Sequence, residues 1–352
     1  MATAMTDSQT TSEQPQPVHD SAALQSLPTP AELKQQLPCP DELQKQVEQH
    51  REAVRAILRG EDERLLVVVG PCSVHDEVAA LEYGERLAEL AVTLQDRCLI
   101  VMRAYLEKPR TTVGWKGLLY DPERTGEGDL AQGLVRSRRL LLNLAQLGLP
   151  LATEALHPMA ADYLSDLVSW TAVGARTTES QLHREMASQL PMPVGFKNGT
   201  DGSHGMALNA MRSAASSHYR LGTDLHGRPA MMQTPGNPDT HLVLRGGRGV
   251  TNYDQTSIAT AQEELRESGL NPSLMVDCSH DNACKEHQRQ TGIARELLHQ
   301  RQAGNHRIVG IMLESFLVDG KQKDEGELTY GQSITDPCLG WDETAHLLMQ
   351  MA

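Results

Sequence analysis

Aromatic side chains are scarce in this sequence, with Phe, Trp and Tyr together making up 3% of 352 residues. Any core must therefore rest on Leu, Val, Ala and Met, and apolar residues at 39% supply enough of them. No apolar run of about eighteen residues occurs, which excludes a membrane-spanning helix from the expectation. The first residues show no basic segment followed by an apolar stretch, so no secretory signal is expected. Six scattered cysteines without a CxxC pair make no disulfide framework and fit a reducing cytoplasm. Positive charge is also short: 32 Lys and Arg stand against 46 Asp and Glu, a formal charge of −14. Nucleic acid and membrane surfaces are accordingly not expected as partners, since both call for a broad basic face.

The basic charge that is present gathers in short motifs behind apolar runs. These are Met102-Arg103, Glu107-Lys108-Pro109-Arg110-Thr111-Thr112, Gly174-Ala175-Arg176, Phe196-Lys197-Asn198-Gly199 and Leu244-Arg245-Gly246-Gly247. A lone Lys or Arg is usually a solvated surface charge. Five motifs at matched positions in an acidic chain instead predict a local trap for small polyanions.

Residues 1–27, rich in Ser, Thr, Gln and Pro, read as a disordered tail. Residues 28–60 form an N-terminal extension, helical over 31–59 with Asp41 as its cap. From 61 to 352, short apolar runs alternate with amphipathic stretches. The runs fall at 65–69, 99–102, 149–153, 172–174, 193–196, 242–244, 274–276 and 308–313. Eight strands alternating with eight helices predict an α/β fold, a (β/α)8 TIM barrel. Residues 218–234, with a turn at His226-Gly227, read as an inserted β-hairpin.

Functional groups of such barrels sit at the carboxyl ends of the strands. Each run here ends on a polar or ionisable group: Cys72, Arg103, Glu154, Arg176, Lys197, Arg245, the stretch from Asp277 to His280, and Glu314. A barrel closed by its first and last strands brings Cys72, His280 and Glu314 near Asp336, in the loop after the last strand. One thiolate, one imidazole and two carboxylates suit a divalent first-row ion better than magnesium. Spacing alone gives this set no recognised ligand motif. Cys278, Cys284 and Cys338 read as packing residues or bystanders.

Four stretches together resemble one family. They are Gly70-Pro71-Cys72-Ser73, the run from Glu107 through Trp115-Lys116-Gly117, Gly174-Ala175-Arg176-Thr177-Thr178-Glu179-Ser180-Gln181, and Pro193-Val194-Gly195-Phe196-Lys197-Asn198-Gly199-Thr200-Asp201-Gly202. They are similar to the type I 3-deoxy-D-arabino-heptulosonate 7-phosphate (DAHP) synthases, over about Pro28 to the C-terminus. The resemblance implies condensation of phosphoenolpyruvate with erythrose 4-phosphate, the first step of the shikimate pathway. It implies Cys72, His280, Glu314 and Asp336 as ligands of one divalent ion (Mn, Fe, Co or Zn). It implies Arg103, Lys108, Arg176, Lys197 and Arg245 as the phosphoenolpyruvate cradle, with Glu154 lining the site and Arg110 and Thr111 beside Lys108 on the erythrose phosphate. Catalytic roles fall to Lys108, Cys72 and His280. A related synthase that condenses phosphoenolpyruvate with arabinose 5-phosphate, and a silent paralogue that senses an amino acid or binds a partner, are the rival expectations.

Relatives of this kind are homodimers or homotetramers, and the extension and hairpin form their feedback site for an aromatic amino acid. Gly222 stands where tyrosine-sensitive members carry Gly, leaving room for a phenol hydroxyl, so tyrosine is the expected effector. His183-Arg184-Glu185-Met186-Ala187-Ser188 points the same way. Gln189, Pro191 and Arg220 depart from the family pattern in this pocket, as do His157 and Ala161. Bulk and charge there would weaken or abolish such inhibition, with neutral drift the alternative reading.

Overall fold

A computed structural model describes residues 25–351. The expected disordered tail falls outside these residues except for 25–27. Helix α1 (Pro30–Gln36) and helix α2 (Asp41–Arg59) precede the barrel. The single helix expected over 31–59 is broken at Pro38-Cys39-Pro40, because proline supplies no N–H to a continuing helix. Asp41 does not cap. It is the first helical residue, Pro40 holds the capping position, and no side chain closes that end. Helix α1 is capped well: Thr29 accepts from the Glu32 N–H, and Glu32 accepts from the Thr29 N–H.

The chain then alternates: β1 (Leu65–Gly70), α3 (Glu77–Leu94), β2 (Cys98–Arg103), α4 (Leu130–Gln146), β3 (Leu151–Glu154), α5 (Pro158–Leu164), β4 (Trp170–Val173), α6 (Gln181–Ala187), β5 (Val194–Lys197) and α7 (Gly205–Ala214). The hairpin follows as β6 (Tyr219–Thr223) and β7 (Pro229–Gln233), antiparallel, turning at Gly227 with φ +77°. Next come β8 (Thr240–Leu244), α8 (Gln255–Glu267), β9 (Leu274–Asp277), α9 (Arg289–Gln302) and β10 (Ile308–Glu314). A small parallel pair, β11 (Val318–Lys321) with β12 (Gln332–Ser333), and α10 (Trp341–Met349) complete it. The barrel closes in the order β1-β10-β9-β8-β5-β4-β3-β2. The (β/α)8 barrel and the inserted hairpin both stand; the pair β11–β12 is an element the sequence reading lacked.

Strand side chains alternate, so each barrel strand sends every second residue inward. Leu65, Val67 and Val69 join the layer under the helices, whereas Leu66 and Val68 join a separate cluster inside the barrel. That inner cluster includes Val101, Ala152, Trp170, Val243, Met275 and Met312, together with Val54, Ile57 and Leu58 of α2. Helix α2 thus plugs the end of the barrel where the strands begin. Burying each of these side chains is worth about 2 kcal/mol. Among the described residues, no helix is long and apolar enough to cross a membrane.

Candidate active site

One further inward step along each strand changes the chemistry. Val101 is followed by Arg103, Ala152 by Glu154, Gly195 by Lys197, Val243 by Arg245, Met275 by Asp277 and Met312 by Glu314. Six ionisable groups therefore enter the lumen at the strands' carboxyl ends. Above them opens a cleft of about 300 Å³. It is lined by Lys108, Arg110, Thr111, Glu154, Arg176, Lys197, Arg245, His280 and Asp336. Arg176 is exposed, in the turn beyond β4 rather than at the strand end.

Cys72, Arg103 and Glu314 lie buried beneath this cleft. Arg103 donates to Glu314 Oε1 at 3.1 Å and to the Pro71 carbonyl at 3.3 Å. Its guanidinium stacks on Tyr105, 3.9 Å from the ring centroid. Gly70 lies so close to Arg103 that a Cβ there would stand 2.8 Å from the Arg103 carbonyl oxygen. Lys197 Nζ donates to Asp277 Oδ2 at 2.9 Å, and His280 Nδ1 lies 2.9 Å from the same oxygen. Burial opposes ionisation of Asp277, yet His280 and Lys197 beside it hold its carboxyl well below the usual range. His280 itself takes a left-handed backbone, φ +55°, which turns the chain sharply after β9.

Cys72, Glu314 and Asp336 bring one thiol sulfur and two carboxylate oxygens within 4.8 Å of one another. His280 Nε2 stands 4.0 Å from Glu314 Oε1, at the edge of this group. Burial, reinforced by the Glu314 charge, pushes the Cys72 thiol up to about 12. The ammonium of Lys108 is seated among them, 2.9 Å from Cys72 Sγ and 2.7 Å from Asp336 Oδ2. Burial disfavours that charge, but the Asp336 and Glu314 carboxylates outweigh it and hold the Lys108 ammonium above its ordinary range. Soft sulfur, two carboxylates and a nearby imidazole fit a first-row divalent ion, and the seated ammonium marks the pocket as one that favours positive charge.

Gln189, Pro191, Arg220 and Gly222 do not line this cleft. Arg220 Nε donates to Gln189 Oε1 at 2.8 Å, tying β6 to the segment after α6. The room expected beside Gly222 is taken: a Cβ there would meet Met232 Sδ at 2.8 Å and Arg220 Nη1 at 3.2 Å. Cys278 and Cys338 are buried, Cys284 is exposed, and all are free thiols.

The sequence reading missed several supports. Asp277 was legible at its strand end beside His280, but nothing in the sequence gave it a role. Asp281, which accepts from Arg245 Nη1 at 2.8 Å, carried no signal beyond its nearness to His280. Gln290 carried none: from α9 it donates to the Glu314 carbonyl at 3.0 Å and accepts from the Glu314 N–H at 2.8 Å.

Comparison with known proteins adds a separate line of support. Residues 34–349 match the family described as DAHP synthetase I family. The Tyr-sensitive phospho-2-dehydro-3-deoxyheptonate aldolase of Escherichia coli K12 is 50% identical over 330 residues, covering 93% of this chain and 92% of that protein. The Trp-sensitive enzyme of the same strain is 49% identical over 334 residues, covering 94% and 96%. The solved phospho-2-dehydro-3-deoxyheptonate aldolase of Francisella tularensis SCHU S4 superposes with a TM-score of 0.91 at 39% identity, covering 94% of this chain and 96% of that one.

Proposed function

The chain belongs to the DAHP synthetase I family, and on that footing we propose how its cleft works and how it is regulated. It is a DAHP synthase, joining phosphoenolpyruvate to erythrose 4-phosphate in the first step of the shikimate pathway. The residue-level proposal rests on one observation: Lys108, Arg176, Lys197 and Arg245 line a single cleft above Arg103. In this proposal they hold the carboxylate and phosphate of phosphoenolpyruvate, Arg by bidentate forks and Lys as point charges. Glu154 shares that cleft, and Arg110 and Thr111 at its exposed rim hold the erythrose phosphate.

Cys72, His280, Glu314 and Asp336 would hold one divalent first-row ion, which supplies Lewis acidity at the sugar aldehyde when bound. Carbon 3 of phosphoenolpyruvate attacks the aldehyde carbon, and Lys108, which lines the cleft, gives its proton to the nascent alkoxide. Water adds at carbon 2, and phosphate leaves by carbon–oxygen cleavage with its charge met by the Arg and Lys cradle. The test is phosphoenolpyruvate consumption on adding erythrose 4-phosphate, with and without a chelator. Turnover that stops with chelator and returns with Mn, Fe, Co or Zn supports the proposal. Full turnover in chelator overturns the ion site.

The regulatory part is feedback inhibition by tyrosine at the hairpin, near Gln189, Pro191, Arg220 and Gly222. Near-equal identity to Tyr-sensitive and Trp-sensitive relatives leaves that choice to the pocket. Binding an aromatic side chain there requires Arg220 or Met232 to move. An unchanged rate at saturating tyrosine sinks this part. Residues 28–60 and 218–234 complete the proposal as the regulatory and subunit-contact elements of a cytoplasmic homodimer or homotetramer.

A further inference from the structure

Three asparagines that the chemistry above does not use meet behind the cleft. Asn198, Asn252 and Asn282 follow β5, β8 and β9, and all are buried. Between them they satisfy every backbone polar group of Arg245 and Gly246. The Arg245 N–H donates to Asn198 Oδ1 at 2.8 Å, and the Arg245 carbonyl accepts from the Asn282 N–H at 3.3 Å. The Gly246 N–H donates to Asn252 Oδ1 at 2.8 Å, and the Gly246 carbonyl accepts from Asn198 Nδ2 at 2.9 Å.

The three are also bonded to one another. Asn252 Nδ2 donates to Asn198 Oδ1 at 3.2 Å, and the Asn252 N–H donates to Asn282 Oδ1 at 2.8 Å. Asn282 Nδ2 donates to the Asp277 carbonyl at 2.9 Å. Ordinary asparagine turns bond two or three residues away. These bonds span 47, 54 and 30 residues. A buried network this fully satisfied has one low-energy arrangement, since any rotation strands a donor or acceptor. Gly246 is locked as well, at φ +71° with its Cβ direction 2.8 Å from the Val250 carbonyl oxygen.

We propose that Asn198, Asn252 and Asn282 are positioning residues that aim Arg245 into the cleft. The network fixes the peptide that carries Arg245, and Asp281 holds one edge of its guanidinium. The remaining N–H groups are left to meet an anion. The proposal rests on the reading of Arg245 as part of the phosphoenolpyruvate cradle. A misplacement of about 1 Å in such a fork costs up to about a hundredfold.

The test is Asn252→Ala, which removes the bonds to Gly246 and Asn198, assayed beside Arg245→Ala and the double variant. The expected result is a KM for phosphoenolpyruvate raised about tenfold, with KM for erythrose 4-phosphate unchanged. Calorimetry with phosphoenolpyruvate alone should show the same loss. In the Arg245→Ala background the substitution should add nothing, because the side chain it aims is gone. A merely structural role predicts otherwise: a lowered Tm and kcat, unchanged KM, and an equal loss in both backgrounds. That result overturns the proposal. If Arg245→Ala weakens phosphoenolpyruvate and Asn252→Ala does not, the asparagine network alone is refuted. If Arg245→Ala leaves that KM unchanged, the cradle reading fails and takes the proposal with it. Should Asn252→Ala not fold, Asn282→Ala is measured in its place with the same outcomes.

Discussion

The two ends of the barrel lumen are built from the same strands and do opposite work. At the closed end, Leu66, Val68, Val101, Ala152, Val243, Met275 and Met312 pack against Val54, Ile57 and Leu58 of α2. One inward step later the lumen carries Arg103, Glu154, Lys197, Arg245, Asp277 and Glu314. The closed end gains from burial. The open end puts charge where burial is costly and offsets that cost by pairing: Arg103 with Glu314, Lys197 with Asp277, Arg245 with Asp281, Lys108 with Asp336. A two-residue step therefore separates residues whose loss should unfold the protein from residues whose loss should silence it.

The strongest break in that contrast comes from Cys72→Ala. Activity is expected to fall at least about a hundredfold, and bound divalent metal, read by elemental analysis, to fall with it. The urea midpoint should hold within about 1 kcal/mol of stability. A folded Cys72→Ala protein with wild-type turnover would contradict the ion-site proposal. The opposite behaviour is expected of Ile57→Ala, a truncation in the plug. It should cost about 3 kcal/mol by urea unfolding, with kcat unchanged while the protein stays folded. A lower kcat at full folding would show that the two ends are coupled.

Glu107 sharpens the contrast, because it is buried at the same end without a cation partner. It neighbours Lys108 in sequence but faces an apolar cavity of about 40 Å³ lined by Leu106, Ala155, Ala160 and Leu164. Burial pushes its carboxyl up to about 7, against hydrogen bonds from the His157 N–H and the Tyr120 hydroxyl. The folded protein therefore binds more protons than the unfolded chain between pH 4.5 and about 7. Stability should fall as pH rises through that window. Glu107→Gln should flatten the dependence and be more stable above pH 7 by roughly 3 kcal/mol, with little difference below pH 4.5. Parallel pH profiles for the two proteins would show that Glu107 ionises without cost.

The barrel was legible because each strand is a short apolar run ending in a polar residue, and the hairpin because Gly227 supplies its turn. The extension was misjudged where Pro38 and Pro40 outweigh the apolar stripe that continues across them. The pair β11–β12 lacks any apolar run, so periodicity had nothing to report. The basic strand ends were legible for the same reason as the strands, since Arg103, Lys197 and Arg245 directly close apolar runs. The proposed ion-binding set was not legible from spacing. Cys72 and Asp336, 264 residues apart, meet at 3.3 Å because β1 and β10 are neighbours in the closed ring. Family resemblance suggested that set; the geometry groups Cys72, Glu314 and Asp336, with His280 at their edge. Bonds made through backbone groups, such as Gln290 on Glu314, leave no pattern in the chain at all.

Strand β4 tests whether the inward step must deliver a charge. Its inward series runs Trp170, Ala172 and then Gly174, which contributes no side chain. The space is used from β3 instead: a Cβ on Gly174 would stand 2.4 Å from Glu154 Oε1. Because that oxygen ends a flexible side chain beside an open cleft, Gly174→Ala should be absorbed by moving Glu154. The stability cost should stay below about 1 kcal/mol. Activity should fall about tenfold, since the displaced carboxylate no longer lines the cleft where it did. Gly174→Ala with undiminished activity would show that the position of Glu154 is immaterial to the reaction. The reaction would then depend on the other five ionisable strand ends, Arg103, Lys197, Arg245, Asp277 and Glu314.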